Sequence, residues 1–242
     1  MKRSKVYVAG FSLLLCGLCG VCAILFLRNG NDPVVESIAI ELEELDLGLG
    51  EDAVTRATPG NPKGLKPPHL RKEVKRPPFM VPPGVKNLAL YKPVTSSDKA
   101  PNTGDLDQLT DGLKKSGEFD FVELGPGVQW VQVDLGRTSA IHAVVVWHYY
   151  KNPIIYNDVI VRVADDAAFS QNVRTLFNND HDNSAGLGRG KGTAYYARWW
   201  GEIADARGAD RKGTPAGFVR VYTADGVEDE FPRFVEVAVY GK

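Results

Sequence analysis

The densest run of chemically capable side chains lies between Phe177 and Gly190, in FNNDHDNSAGLGRG. Asn179, Asp180, His181, Asp182 and Asn183 place five hydrogen-bonding side chains side by side. Three chemistries fit them. Asp and Asn bridge paired hydroxyls and His can join them, which suits a sugar. Carboxylates beside a His can also take a metal, but one His among scattered acids lacks the spacing of a zinc motif. The plainest reading is turn-making, with Asx side chains folding onto their own backbone between glycines. The sugar reading stands ahead of the metal.

Aromatic side chains form the second group. Sugar rings present apolar C–H faces that stack on aromatics while polar groups set orientation. His148, Tyr149 and Tyr150 make one set; Tyr195, Tyr196, Trp199 and Trp200 make the other. Trp147 is in phase with Val145 and belongs to the core. One of Trp199 and Trp200 belongs there too, because neighbours on a strand point opposite ways. His148, Tyr149 and Trp200 therefore join residues 179–183 as candidate ligand contacts.

Catalysis is not expected. Asp180 and Asp182 are too close in sequence to make a compelling acid–base pair for a glycoside. No Gly-x-Ser-x-Gly elbow occurs, and Cys16, Cys19 and Cys22 all lie in one N-terminal apolar run. GLGRGKG lacks the Gly-Lys-Ser/Thr of a phosphate loop and does not open a helix after a strand.

These residues need strands to position them. Val128–Tyr150 reads as two strands broken at Gly136–Arg137. Val131, Val133 and Leu135 alternate with polar residues in the first. The second is apolar on both faces, so it lies deep in a sheet. Residues 158–164, 218–223 and 234–240 repeat the alternation. No long amphipathic helix follows Gly84, and the connections are rich in Gly, Asn and Asp. Short alternating strands with such connections predict an all-β antiparallel sandwich.

The chain has 242 residues, 43% apolar and 24% charged, the composition of a globular protein. Its formal net charge of −1 supplies no basic field for nucleic acid. Lys2, Arg3 and Lys5 precede an apolar run from Val6 to Leu27, long enough to span a membrane as a helix with its N-terminus in the cytoplasm. That length favours an uncleaved anchor over cleavage after Ala23. Residues 1–30 are thus read as a transmembrane anchor and 31–84 as a linker. Asp32-Pro33 looks like a helix start, and Val35, Ile38, Leu42, Leu45 and Leu49 fit either a short amphipathic helix ending near Gly48 or, the plainer reading, a transient helix in a flexible spacer. From Thr58 to Gly84 prolines dominate, predicting an extended spacer that packs little. Its Lys and Arg residues suit either a solvated tether or attraction to anionic headgroups or wall polymers.

The folded part, 85–242, carries a family resemblance. Asn87-Leu88-Ala89-Leu90-Tyr91-Lys92-Pro93-Val94-Thr95-Ser96-Ser97 looks like the start of a discoidin domain, the coagulation factor 5/8 type C domain of galactose-binding-like fold. Leu109-Thr110-Asp111-Gly112 resembles its acidic-glycine turn. Trp130 to Gly136 resembles its W-x-x-x-D-L-G strand. Residues 217–222 and 235–241 resemble its closing strands. The resemblance implies a jelly-roll β-sandwich of roughly eight or more strands. It also implies ligand binding by loops at one end: many members bind carbohydrate, others phospholipid headgroups or proteins. Several members carry a structural calcium, which would fall here on Asp111, with Ser116 and Glu236 adding oxygens. The family often has Thr and Trp after the Asp-Gly, where this chain has LKKSGEFDF.

The expectation is a membrane-anchored, non-catalytic binding module. Its partner would be a glycan or envelope polymer, and its folded domain would lie outside the cytoplasm, in a bacterial periplasm or at the cell surface. A protein–protein adaptor in an envelope complex, and a metal-dependent hydrolase centred on Asp180–Asn183, are the alternatives.

Overall fold

Val144, Val145, Val146 and Trp147 are all at most 2% exposed, so the strand that carries them has protein on both faces. In the computed structural model, which describes residues 41–50, 64, 66–72, 76–226 and 230–242, that strand runs over Gln129–His148. It is one strand, not the expected two. Gly136, at φ +75°, sits with exposed Arg137 and Thr138 at an irregularity where the register with Thr214–Thr223 shifts. The chain bends there without turning back, so one strand serves two regions of the sheet.

Its first half pairs with Val94–Ser96 on one side and with Thr214–Thr223 on the other. Thr214–Thr223 pairs in turn with Ile160–Ala164, and that strand with Arg174–Asn178. The second half pairs with Glu202–Asp205 and with Arg233–Gly241. All these pairings are antiparallel, and registered partners such as Val219 with Val133 and Val221 with Val131 point to one face, so the alternating strands share an apolar side. Val131, Val133, Val219, Val221, Val237 and Val239 fill the core from it. A smaller sheet joins Tyr195–Tyr196, Ile155–Asn157 and Asp225–Gly226. The architecture is an all-β sandwich. Among the described residues there is no α-helix, only the 3-10 segment Leu106–Thr110.

The segment read as a linker departs from expectation. Residues 41–50 form no helix; Glu43–Glu44 pairs with Met80–Val81 as a short antiparallel ribbon. Leu45 and Leu47 are buried, and Leu49 packs against the same core. Their spacing is two residues, and that period outweighed the looser three-to-four spacing with Leu42. The proline-rich stretch also packs where described: Val81 is 1% exposed, and Leu70 bridges to Ala194. Prolines keep such a segment extended, and an extended segment with apolar residues between its prolines can lie along a sheet surface.

The apolar run expected to span a membrane, and the helix start at Asp32-Pro33, lie outside the described residues. Among the described residues no helix is long and apolar enough to cross a membrane.

Candidate functional site

Asp180 is fully buried and organises the polar loop from beneath. Its Oδ1 accepts the N–H groups of Asn183 and Ser184 at 2.7 and 3.1 Å, and its Oδ2 accepts that of Ala185 at 3.0 Å. Asn179, 1% exposed, accepts the Val159 N–H at 2.7 Å and donates to the carbonyls of Tyr156 and Thr193. Asn183 adopts φ +69° and accepts the Gly188 N–H at 2.6 Å. These three side chains satisfy backbone groups, the turn chemistry of Asx residues. Asp182 is exposed, and the backbone and hydroxyl of Ser184 hold its carboxyl below the usual range. One carboxylate oxygen each from Asp158, Asp180 and Asp182 falls within a 4.8 Å cluster. Both Asp180 oxygens already accept backbone N–H groups, which leaves that cluster a poor cage for a cation.

His181 does something the sequence did not announce. Its ring stacks on His69, with centroids 3.6 Å apart. Its Nε2 lies 2.7 Å from the Gly192 carbonyl, so that nitrogen carries the proton and donates. The loop thereby grips the segment before the sandwich. Arg71 adds to the grip with a two-pronged pair to Glu202 at 2.8 and 2.5 Å and a bond to Thr193 Oγ1 at 3.1 Å.

His148 sits in the core, 2% exposed. Its ring nitrogens lie 3.0 Å from Thr223 Oγ1 and 3.2 Å from the Tyr195 hydroxyl, and its face stacks on Tyr156. Burial pushes its pKa down to about 3, so the ring is neutral. Tyr149 is buried edge-on to Phe121, and Tyr150 donates to the Lys114 carbonyl. Trp147 is core, donating its indole N–H to the Trp199 carbonyl at 2.9 Å. Trp199 packs against the core, while Trp200 lies edge-on to it and lines a cavity.

That cavity measures about 470 Å³, within the roughly 300–1,000 Å³ of small-molecule sites. Val146 and His148 contribute to its lining from the long strand, and Tyr196, Arg198 and Trp200 from the chain after Tyr195. Arg71, Lys72, Arg76 and Phe79 contribute from the segment before the sandwich. Gly201 makes the local path possible. At φ +69°, a Cβ there would stand 2.7 Å from the Trp147 ring. Arg198 lies 5.4 and 5.8 Å from the ring centres of Tyr196 and Trp200, a cation over two aromatic faces. Arg76 donates to the Trp200 carbonyl at 2.9 Å. Arg207 covers Phe79 at 3.9 Å and donates to the Met80 carbonyl.

Of the predicted contacts, the cavity takes His148 and Trp200. Asn179 and Asp180 are buried in the loop's own turn, and Tyr149 in the core. The basic residues of the proline-rich stretch and Arg198 were not singled out as ligand contacts. The partners of Arg71 and Arg76, Glu202 and the Trp200 carbonyl, stand more than a hundred positions away.

Asp111, Ser116 and Glu236 lie in one neighbourhood. Ser116 Oγ accepts the N–H groups of Tyr150 and Lys151, which fills its acceptor sites. Glu236 is fully buried; its Oε2 is 3.4 Å from the Gly112 N–H, and its Oε1 has no hydrogen-bond partner. Burial pushes its pKa up to about 8, with Lys114 opposing and Asp111 adding. Burial also raises the Asp111 carboxyl. Glu236 thus brings an orphaned buried oxygen, and Asp111 a second carboxyl near enough to raise its pKa, the kind of donors a hard cation takes.

No protein-family model and no curated protein matches the sequence. Among solved structures the chain is similar to chitosan-binding module 1 of a chitosanase/glucanase from Paenibacillus sp. IK-5. The identity is 20% and the TM-score 0.41, over 64% of this chain and 99% of that one. It is similar to a fucose-binding module of Streptococcus pneumoniae at 14% identity and TM-score 0.41, over 65% and 98%. The CBM32 of AlyQ, in complex with 4,5-unsaturated mannuronic acid, matches at 15% identity and TM-score 0.42, over 61% and 92%. These are galactose-binding-like jelly-roll modules of the discoidin type, and the likeness is structural, at low sequence identity.

Proposed function

We propose that this chain is a membrane-anchored, non-catalytic module that recognises carbohydrate in the cavity beside Trp200. The observation that supports it is the lining. Trp200 and Tyr196 are half-buried aromatic rings bordering one concave space, with Arg198 lying against both. Aromatic faces receive the apolar side of a sugar, and fixed N–H donors orient its hydroxyls. The loop 179–183 acts from behind, through the His69–His181 stack that holds the opposite wall in place.

Asp111 and Glu236 would hold a calcium ion, with Ser116 shaping the loop from its two backbone contacts. Such an ion would supply structural rigidity. The basic residues ahead of the apolar run 6–27 favour a cytoplasmic N-terminus, which puts the sandwich on the far side of the membrane.

A glycan array of the 242-residue chain, with and without a chelator, tests the reading. Binding is expected, and Trp200→Ala should weaken it at least about tenfold, or 1.4 kcal/mol, without loss of folding. A chain that binds no glycan but retains a stable protein partner would replace it with the adaptor reading. Turnover of a bound sugar would end the non-catalytic part.

A further inference from the structure

The cavity is strongly cationic in a chain whose formal net charge is −1. Among the described residues, Arg71, Lys72, Arg76, Arg198 and Arg207 line it, against one carboxylate, Glu202. Three of these cations come from the segment preceding the sandwich. We infer that the cavity takes an anionic saccharide, a sugar bearing carboxylate or sulfate, and that residues 71–72 and 76–79 form one wall of the site. This deepens the carbohydrate reading above and rests on it.

The geometry divides the cations by task. Arg71 is paired with Glu202 and Arg207 with Asp205, so these two chiefly hold the walls together. Arg76 and Arg198 are half-buried, and burial holds both guanidiniums below their ordinary pKa. An entering anion would offset that desolvation, and a guanidinium meets carboxylate or sulfate oxygens with a planar fork of N–H donors. Lys72 is exposed at the rim, where a charge steers an anion inward.

The aromatics choose among anions. A bare inorganic anion has no use for Trp200 and Tyr196. A sugar ring carrying one charged substituent uses both the faces and the cations. Nucleic acid also stacks on aromatics, but it needs a basic groove that tracks its backbone, and the cations here gather around one concave space.

The test is calorimetric titration of the 242-residue chain in detergent micelles. The probes are oligogalacturonate, the same oligomer reduced at its carboxyls, a sulfated galactose oligomer, and a single-stranded oligonucleotide. At least one acidic saccharide should bind about tenfold or more tighter than the reduced oligomer. Lys72→Gln and Arg198→Gln should each shrink that ratio severalfold, by weakening the acidic saccharide more than the reduced oligomer. Lys72 is exposed, so its variant reads charge without threatening the fold. Preference for the uronate or for the sulfate supports the inference and names the group. Equal binding of acidic and reduced oligomers overturns it and leaves the carbohydrate reading standing. Binding of the oligonucleotide in preference to every saccharide, or of no saccharide, overturns both.

Discussion

The rings of His69 and His181 stack with centroids 3.6 Å apart and planes 16° from parallel. One belongs to the proline-rich stretch and the other to the long polar loop. Together with the Leu70–Ala194 bridge and the Arg71–Glu202 pair, this contact makes the stretch a wall of the candidate site.

His181→Ala should therefore loosen residues 66–72. An aromatic pair contributes about 0.5–1.5 kcal/mol beyond its buried area, so the global melting temperature should fall by only a few degrees. Amide exchange and limited proteolysis in 66–72 should rise much more. If the loss of protection spreads evenly over the sandwich, the stack is not a local brace.

Cutting the chain at Gly84 should damage the sandwich itself. It removes Leu45, Leu47 and Val81, all buried, and each such side chain is worth roughly 1.5–3 kcal/mol. A chain beginning at Val85 should melt on the order of 10 °C below one beginning at Asn31. Equal melting temperatures would show that the ribbon of 43–44 and 80–81 adds nothing.

Glu236 should make metal-free stability fall as pH rises. Its carboxyl ordinarily titrates near 4.5 and is pushed up to about 8 in the fold. Between those values the folded chain keeps a proton that the unfolded chain has released, so the slope of stability against pH is negative. The contribution is fully present below pH 4.5 and is lost as pH passes 8. Glu236→Gln should flatten that limb. Calcium should raise the melting temperature more at pH 8 than at pH 5, since it binds the ionised carboxylates. Chelator should reverse the gain, and a calcium response unchanged in Glu236→Gln would remove Glu236 from the site.

His148 should act with the opposite sign. Burial pushes its pKa from about 6.5 to about 3. Between these values the unfolded chain binds the extra proton, so stability falls as pH falls below 6.5. His148→Gln should flatten this acid limb while lowering stability at pH 7, because the Thr223 and Tyr195 contacts are disturbed. Where the two windows overlap, Glu236 and His148 oppose each other, so single variants separate them better than the parent curve.

The sandwich was legible because alternation states which face of a strand is buried. Val131 with Val133, Val219 with Val221, and Val237 with Val239 declare their inward side from sequence alone. The role of Trp147 followed from its phase with Val145. Leu45, Leu47 and Leu49 also alternate, but Leu45 and Leu49 read with Val35, Ile38 and Leu42 as a helical stripe, and the strand's true partner, Met80–Val81, lies far along the chain.

Facing is a local property, and partnership is not. Asp180 and Asn179 have the side chains of ligand contacts, yet backbone N–H groups claimed them once the loop closed. Trp199 and Trp200 are equivalent in composition and adjacent in sequence. Packing on the core assigned one inward, and the turn at Gly201 set the path that leaves the other in the cavity wall. The basic residues among the prolines read as solvated charge until the sandwich supplied Glu202, the Trp200 carbonyl and His181 to meet that stretch. Composition and period determined that a two-faced β-core would form. Only folding, by bringing residues 66–72 and 76–81 beside 193–207, decided where its charged and aromatic surfaces meet.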